Sequence, residues 1–164
     1  MAQVLQEIKK ALENRLGSAQ RVALLAIGSD LKGDDAAGLL AVQGLENTGK
    51  FRIFIGATAP ENLTGEIKKY NPTHLIIIDC ADLQEKPGTI RIFDPEQTAG
   101  DSFSTHRLPL KMLAQYLRMS LKSDIMVIGI QPKSVKFSAQ VSEEVKHAVM
   151  HLKEIIQELI KESN

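Results

Sequence analysis

Apolar positions along this chain follow two alternating periods. Five short runs are almost continuously apolar: Arg21–Ile27, Phe51–Ile55, Leu75–Asp79, Thr89–Phe93 and Ile125–Ile130. Runs of this length with so little polar alternation predict strands buried on both faces. Between them the spacing becomes helical. Val4, Leu5, Ile8, Leu12 and Leu16 predict an N-terminal helix stopped by Gly17. Leu39, Leu40, Val42 and Leu45 predict a helix over Ala36–Leu45, and Pro60 opens another that carries Leu63, Ile67 and Tyr70. Leu108–Leu121 and Ser142–Lys161 complete the set, the latter with Ser142 as N-cap and Glu143 and Glu144 facing the helix N-terminus. Strands alternating with helices predict βαβ crossovers, hence an α/β chain with a mainly parallel five-stranded sheet covered on both faces.

Composition narrows the picture. Apolar residues are 43% and charged residues 24% of 164 positions, the balance of a globular chain with its own core, so one domain over 1–164 is expected. Twenty basic residues offset twenty acidic ones, which leaves no global field to attract nucleic acid or anionic lipid. Cys80 is the one cysteine, excluding an intramolecular disulfide and any Cys-x-x-Cys site. Residues 1–15 mix acids and bases without a continuous apolar core, unlike a secretory signal. No apolar run approaches the about 20 residues that span a bilayer, so a cytoplasmic protein without membrane insertion is expected.

Candidate chemistry gathers where the runs end. The first gives way to Gly28-Ser-Asp-Leu-Lys-Gly33-Asp34-Asp35-Ala-Ala-Gly38. Gly28 and Gly33 repeat the spacing of a phosphate-binding loop, but Asp34 and Asp35 stand where its Lys and Ser/Thr would follow. Paired carboxylates repel phosphate and attract a cation. Either aspartate could cap the helix starting near Ala36; only one of them can, so the pair favours a cation site. Asp79 ends the third run, a position that suits a turn cap as well as a site. In parallel sheets ligands bind beyond the carboxyl ends of the strands, where both acidic positions fall. His106 closes the aperiodic stretch Asp94–Thr105 and, judged alone, reads as a solvated loop histidine. His147 and His151 lie opposite the apolar face of the last helix and should be solvated. His74 reads as an ordinary edge residue before a strand, and Cys80 as a small core hydrophobe. G-x-S-x-G, H-E-x-x-H and G-x-G-x-x-G are all absent.

Taken together, Gly28-Ser-Asp-Leu-Lys-Gly-Asp-Asp35, Ala59-Pro-Glu-Asn62, Ile78-Asp-Cys-Ala-Asp82 with Pro87-Gly88-Thr89, Thr105-His106-Arg-Leu-Pro-Leu110 and Gly129-Ile-Gln-Pro132 resemble, in order and spacing, one family. This is the hydrogenase maturation endopeptidases, which remove the C-terminal extension of the NiFe hydrogenase large subunit. The later segments are similar to the branch serving formate-hydrogenlyase-type and related membrane-bound hydrogenases. The resemblance implies a three-layer α/β/α sandwich around a central twisted sheet. It also implies a metal site and catalytic set formed by Asp35, Asp79 and His106. Nickel would arrive already inserted in the large-subunit precursor, as part of the substrate rather than as a resident cofactor. Ala36 stands where glycine is usual, Ser29 where many members carry Asn, and Ile55 where many carry an acid. The first 20 residues fall outside the resemblance, as an added helix that packs on the domain or meets a partner. Two other functions fit the residues: a metal-dependent hydrolase of a small molecule with its own metal, or a non-enzymatic nickel-binding or interaction module.

Overall fold

The computed structural model describes residues 1–97 and 110–164. The apolar runs form strands β1 (Val22–Ile27), β2 (Phe51–Ala57), β3 (His74–Cys80), β4 (Ile90–Phe93) and β5 (Asp124–Ile130). The amphipathic stretches form helices α1 (Ala2–Arg15), α2 (Ala37–Val42), α3 (Thr64–Tyr70), α4 (Leu110–Arg118) and α5 (Glu143–Glu162). The sheet order is β2-β1-β3-β5-β4. Four strands run parallel, and β4 pairs antiparallel with β5. The reason is connection length. A parallel return needs a crossover of about a dozen residues or more, usually helical, and residues 81–89 contain no helix.

The pleat divides the core into two layers. Val22, Leu24, Ala26, Ile76, Ile78, Met126 and Ile128 face α1, α2 and α5. Ala23, Leu25, Ile27, Leu75, Ile77, Ile125 and Val127 face Ile67 of α3 and Leu110, Leu113 and Leu117 of α4. Both faces of β1 and β3 are therefore dry, which is why their sequences lack polar alternation. The outermost strands each carry an arginine. Arg52 of β2 lies over the rings of Phe54 and Tyr70, 5.9 and 5.5 Å from their centroids, and Arg91 of β4 pairs with Glu85 at 2.9 Å.

Helix α1 packs on the domain. It buries Ile8 and Leu12, and Lys9 reaches Glu158 of α5 at 2.7 Å. At its end Arg15 donates to both carboxylate oxygens of Asp124, at 2.8 and 2.6 Å, and to Asp94 at 2.6 Å. This pairing holds the Asp124 carboxyl below its usual range. His74 departs from the edge position expected of it. It opens the middle strand β3, in register with Val22 and Asp124, and is buried. Burial lowers its pKa, an effect that the Asp124 carboxylate opposes.

Candidate active site at the carboxyl edge

The sheet order reverses direction between β1 and β3: β2 lies on one side and β5 on the other. Such a switch point opens a crevice beyond the carboxyl ends of the strands. Two glycines show how closely the acidic turn is drawn into it. A Cβ on Gly28 would lie 2.2 Å from the carbonyl oxygen of Asp35. A Cβ on Gly38 would lie 2.3 Å from the carbonyl of Ile27 and 2.4 Å from that of Ile78. The start of α2 thus rests directly on the last turns of β1 and β3. Asp35 precedes this contact in a tight 3-10 turn, Gly33–Ala36, and Asp79 follows Ile78. The helix expected over Ala36–Leu45 is shorter, running over Ala37–Val42 as α2 directly after that turn.

Asp35 and Asp79 are 9% and 2% exposed, and both stand at this edge. Alternation along β3 puts Asp79 on the face of Leu75 and Ile77, toward α3 and α4, whereas Cys80 joins the opposite core layer. Helix α4 runs counter to the strands. Met112 and Leu113 share a cleft with Glu61 and Thr64, which follow β2, while Arg118 at the other end donates to the carbonyl of Ile125. The α4 N-terminus, at Leu110, therefore lies toward the carboxyl edge, on the face to which Asp79 points. His106 itself lies outside the described residues. His147 is exposed and His151 half-buried, 3.4 Å from Glu154, both on α5.

Asp34 has a different task from its neighbour, one that the sequence did not disclose. Neither aspartate holds an N-cap position, which falls to Lys32 for the turn and to Ala36 for α2. Instead Asp34, with no exposed surface, is fully engaged by a segment about a hundred residues away. Its Oδ2 accepts from the amides of Lys133 and Ser134 at 2.7 and 3.1 Å and from the Ser142 hydroxyl at 2.9 Å. Its Oδ1 accepts from the Ser142 amide at 2.7 Å. Burial pushes the carboxyl up, but these donors outweigh it and hold the pKa below the ordinary value. Ser142 sits at the N-cap position of α5, yet its side chain serves Asp34 rather than the helix. Gln131 braces the neighbouring loop similarly, accepting from the amides of Leu83 and Glu85 at 2.6 and 3.3 Å. Among the described residues no three His, Cys, Asp or Glu side chains group to hold an ion. The edge thus carries two buried carboxylates, Asp35 and Asp79.

Comparison with known proteins points to one family. The family model described as hydrogenase maturation protease matches residues 40–159, which contain Asp79 and His106. A Methanocaldococcus jannaschii protein assigned provisionally to the hydrogenase maturation proteases is 36% identical over 166 residues, spanning 93% of this chain and 98% of its own. The hydrogenase 3 maturation protease of Escherichia coli K12 is 35% identical over 130 residues, spanning 77% of this chain and 82% of its own. The crystal structure of the NiFe hydrogenase maturation protease HycI from Thermococcus kodakarensis KOD1 superposes with a TM-score of 0.85 at 33% identity, covering 92% of this chain and 99% of that one. Among the described residues no helix is long and apolar enough to cross a membrane. Match length, sheet architecture and the acid-bearing edge converge on one lineage: the chain belongs to the hydrogenase maturation protease family and is a peptidase.

Proposed function

We propose that this chain, acting as one domain over 1–164, removes the C-terminal extension of a nickel-loaded NiFe hydrogenase large-subunit precursor in the cytoplasm. The supporting observation is the junction at Gly38, where the turn bearing Asp35 rests on the strand end bearing Asp79. Asp35 and Asp79 would supply two oxygen ligands to the nickel carried by the substrate, and His106 an imidazole nitrogen. A divalent ion so held polarises the scissile carbonyl and lowers the pKa of a nearby water. One of the two carboxylates would accept the proton of that water as its oxygen attacks the carbonyl carbon. The carbon–nitrogen bond then breaks, and the proton passes to the departing amine. Burial of both acids keeps bulk water from competing for the cation, which strengthens each contact. Within the first 20 residues, helix α1 (Ala2–Arg15) would contribute packing rather than ligands.

Incubating the protein with nickel-loaded and nickel-free precursor, followed by mass spectrometry of the large subunit, tests this directly. Shortening of the loaded precursor alone is expected. Asp35→Asn, Asp79→Asn and His106→Ala should each abolish it, because an amide keeps the carboxylate's size but loses its charge for the cation. His147→Ala and His151→Ala should cleave normally. Full cleavage by the Asp79→Asn protein would remove the centre of the proposal, and loss in His151→Ala would place the site elsewhere.

A further inference from the structure

The carboxyl edge carries an apolar rim that the chemistry above does not use. Phe137 is 72% and Leu31 59% exposed, and Val135 is also exposed. All three belong to segments that bound the Asp35 turn. Leu31 lies four residues before Asp35; its amide donates to Ser29 Oγ at 3.2 Å, and its carbonyl accepts from the Ser138 amide at 2.8 Å. The amide of Asp34 donates to the Ser134 carbonyl at 2.9 Å, while its carboxylate holds the amides of Lys133 and Ser134. The backbone under the rim is therefore pinned on both sides, although the large apolar side chains above it face water. Rigid presentation lowers the ordering entropy lost on binding, and clustered exposed apolar groups mark contact surfaces.

Resting on the proposed peptidase chemistry at this edge, we infer that Leu31, Val135 and Phe137 seat an apolar segment of the precursor polypeptide beside the scissile bond. Continuity with the acid-bearing turn decides the occupant. Leu31 lies just before the Gly33–Ala36 turn, and Val135 and Phe137 belong to the segment hydrogen-bonded to it, so a chain bound at Asp35 has this apolar surface beside it. A second copy of this protein on the same surface would obstruct that approach. The contact is made by ground state and transition state alike, so it acts on substrate affinity rather than on turnover.

The test is steady-state cleavage of nickel-loaded precursor by Phe137→Ser and Leu31→Ser, with sedimentation velocity and thermal midpoints measured in parallel. Each variant should raise KM by about tenfold to a hundredfold, the value of one buried large apolar side chain, with kcat nearly unchanged. Thermal midpoints should hold, because both residues are exposed in the folded protein. Phe137→Leu, which keeps apolar bulk, should recover most of the KM. An unchanged KM in both serine variants would overturn the inference, as would a fall confined to kcat. Loss of self-association with an unchanged KM would overturn it too, by showing that the rim seats a second copy. Asp79→Asn run alongside separates the two proposals: its activity judges the site, whereas the KM series judges the rim.

Discussion

Replacing Asp34 by Asn should unfold the protein more readily while leaving the shape of the side chain unchanged. The carboxylate accepts from donors on both oxygens: three on Oδ2 and the Ser142 amide on Oδ1. An amide offers one acceptor oxygen. Whichever way it is turned, its NH2 faces at least one backbone N–H, leaving a buried donor unsatisfied. That donor alone costs about 1–3 kcal/mol, and charge-assisted bonds contribute about 1.5–3 kcal/mol each, so a total near 3–5 kcal/mol is expected. For a chain of this size each kcal/mol moves the midpoint by roughly 2–4 °C, giving a fall of roughly 6–20 °C at neutral pH. The pH dependence adds an independent check. Because the folded Asp34 pKa is held below its unfolded value near ~3.9, its stabilisation is fully present above that value and fades as pH falls through the folded pKa. The stability gap between wild type and Asp34→Asn, read from urea titrations, should therefore be constant from pH 7 down to about 5 and shrink below about 4. A gap below about 1 kcal/mol at pH 7, or one that persists undiminished in acid, would refute the assignment of these bonds as a charged clamp.

Two other outcomes follow from packing and protonation. Gly38→Ala should lower the unfolding free energy by about 1–3 kcal/mol or more and impair precursor cleavage, since the added methyl meets two strand carbonyls that cannot yield cheaply. Gly49→Ala, with nothing within 4 Å of the added carbon, should leave both readings unchanged. His74 is held neutral by burial, so the unfolded chain binds the extra proton first as pH falls. Stability should decline from about pH 6.5 down through the lowered folded pKa and then level off, and His74→Gln should flatten that part of a pH-resolved melting curve.

The strands were legible because burial on both faces leaves few polar positions: Val22–Ile27 and Leu75–Ile78 could hardly form anything else. The direction of β4 was not, because Ile90–Phe93 reads the same either way and only the helix-free link before it decides. Asp35 and Asp79 stood out as acids at strand ends, and the structure places both at one edge. Asp34 could not be told from its neighbour. Its partners at Lys133, Ser134 and Ser142 are mostly backbone amides, which carry no signature in the sequence. His74 misled for a related reason: a polar residue before an apolar run suggests an edge, whereas the register with Asp124 draws it inside. His106 was singled out by resemblance alone and lies outside the described residues.

The arginines on the two outer strands bear on the behaviour of the protein in crowded solution. A chain with a formal net charge of +0 has little long-range repulsion to keep its copies apart at neutral pH. Open sheet edges would then invite strand-to-strand pairing between molecules, and the most aliphatic segments would propagate it. Here those segments, β1 and β3, are interior, while β2 and the short β4 meet solvent with a guanidinium each. Removing Arg52 or Arg91 would leave the site untouched and the fold largely intact. The change would appear instead in the concentration at which the protein stays in solution.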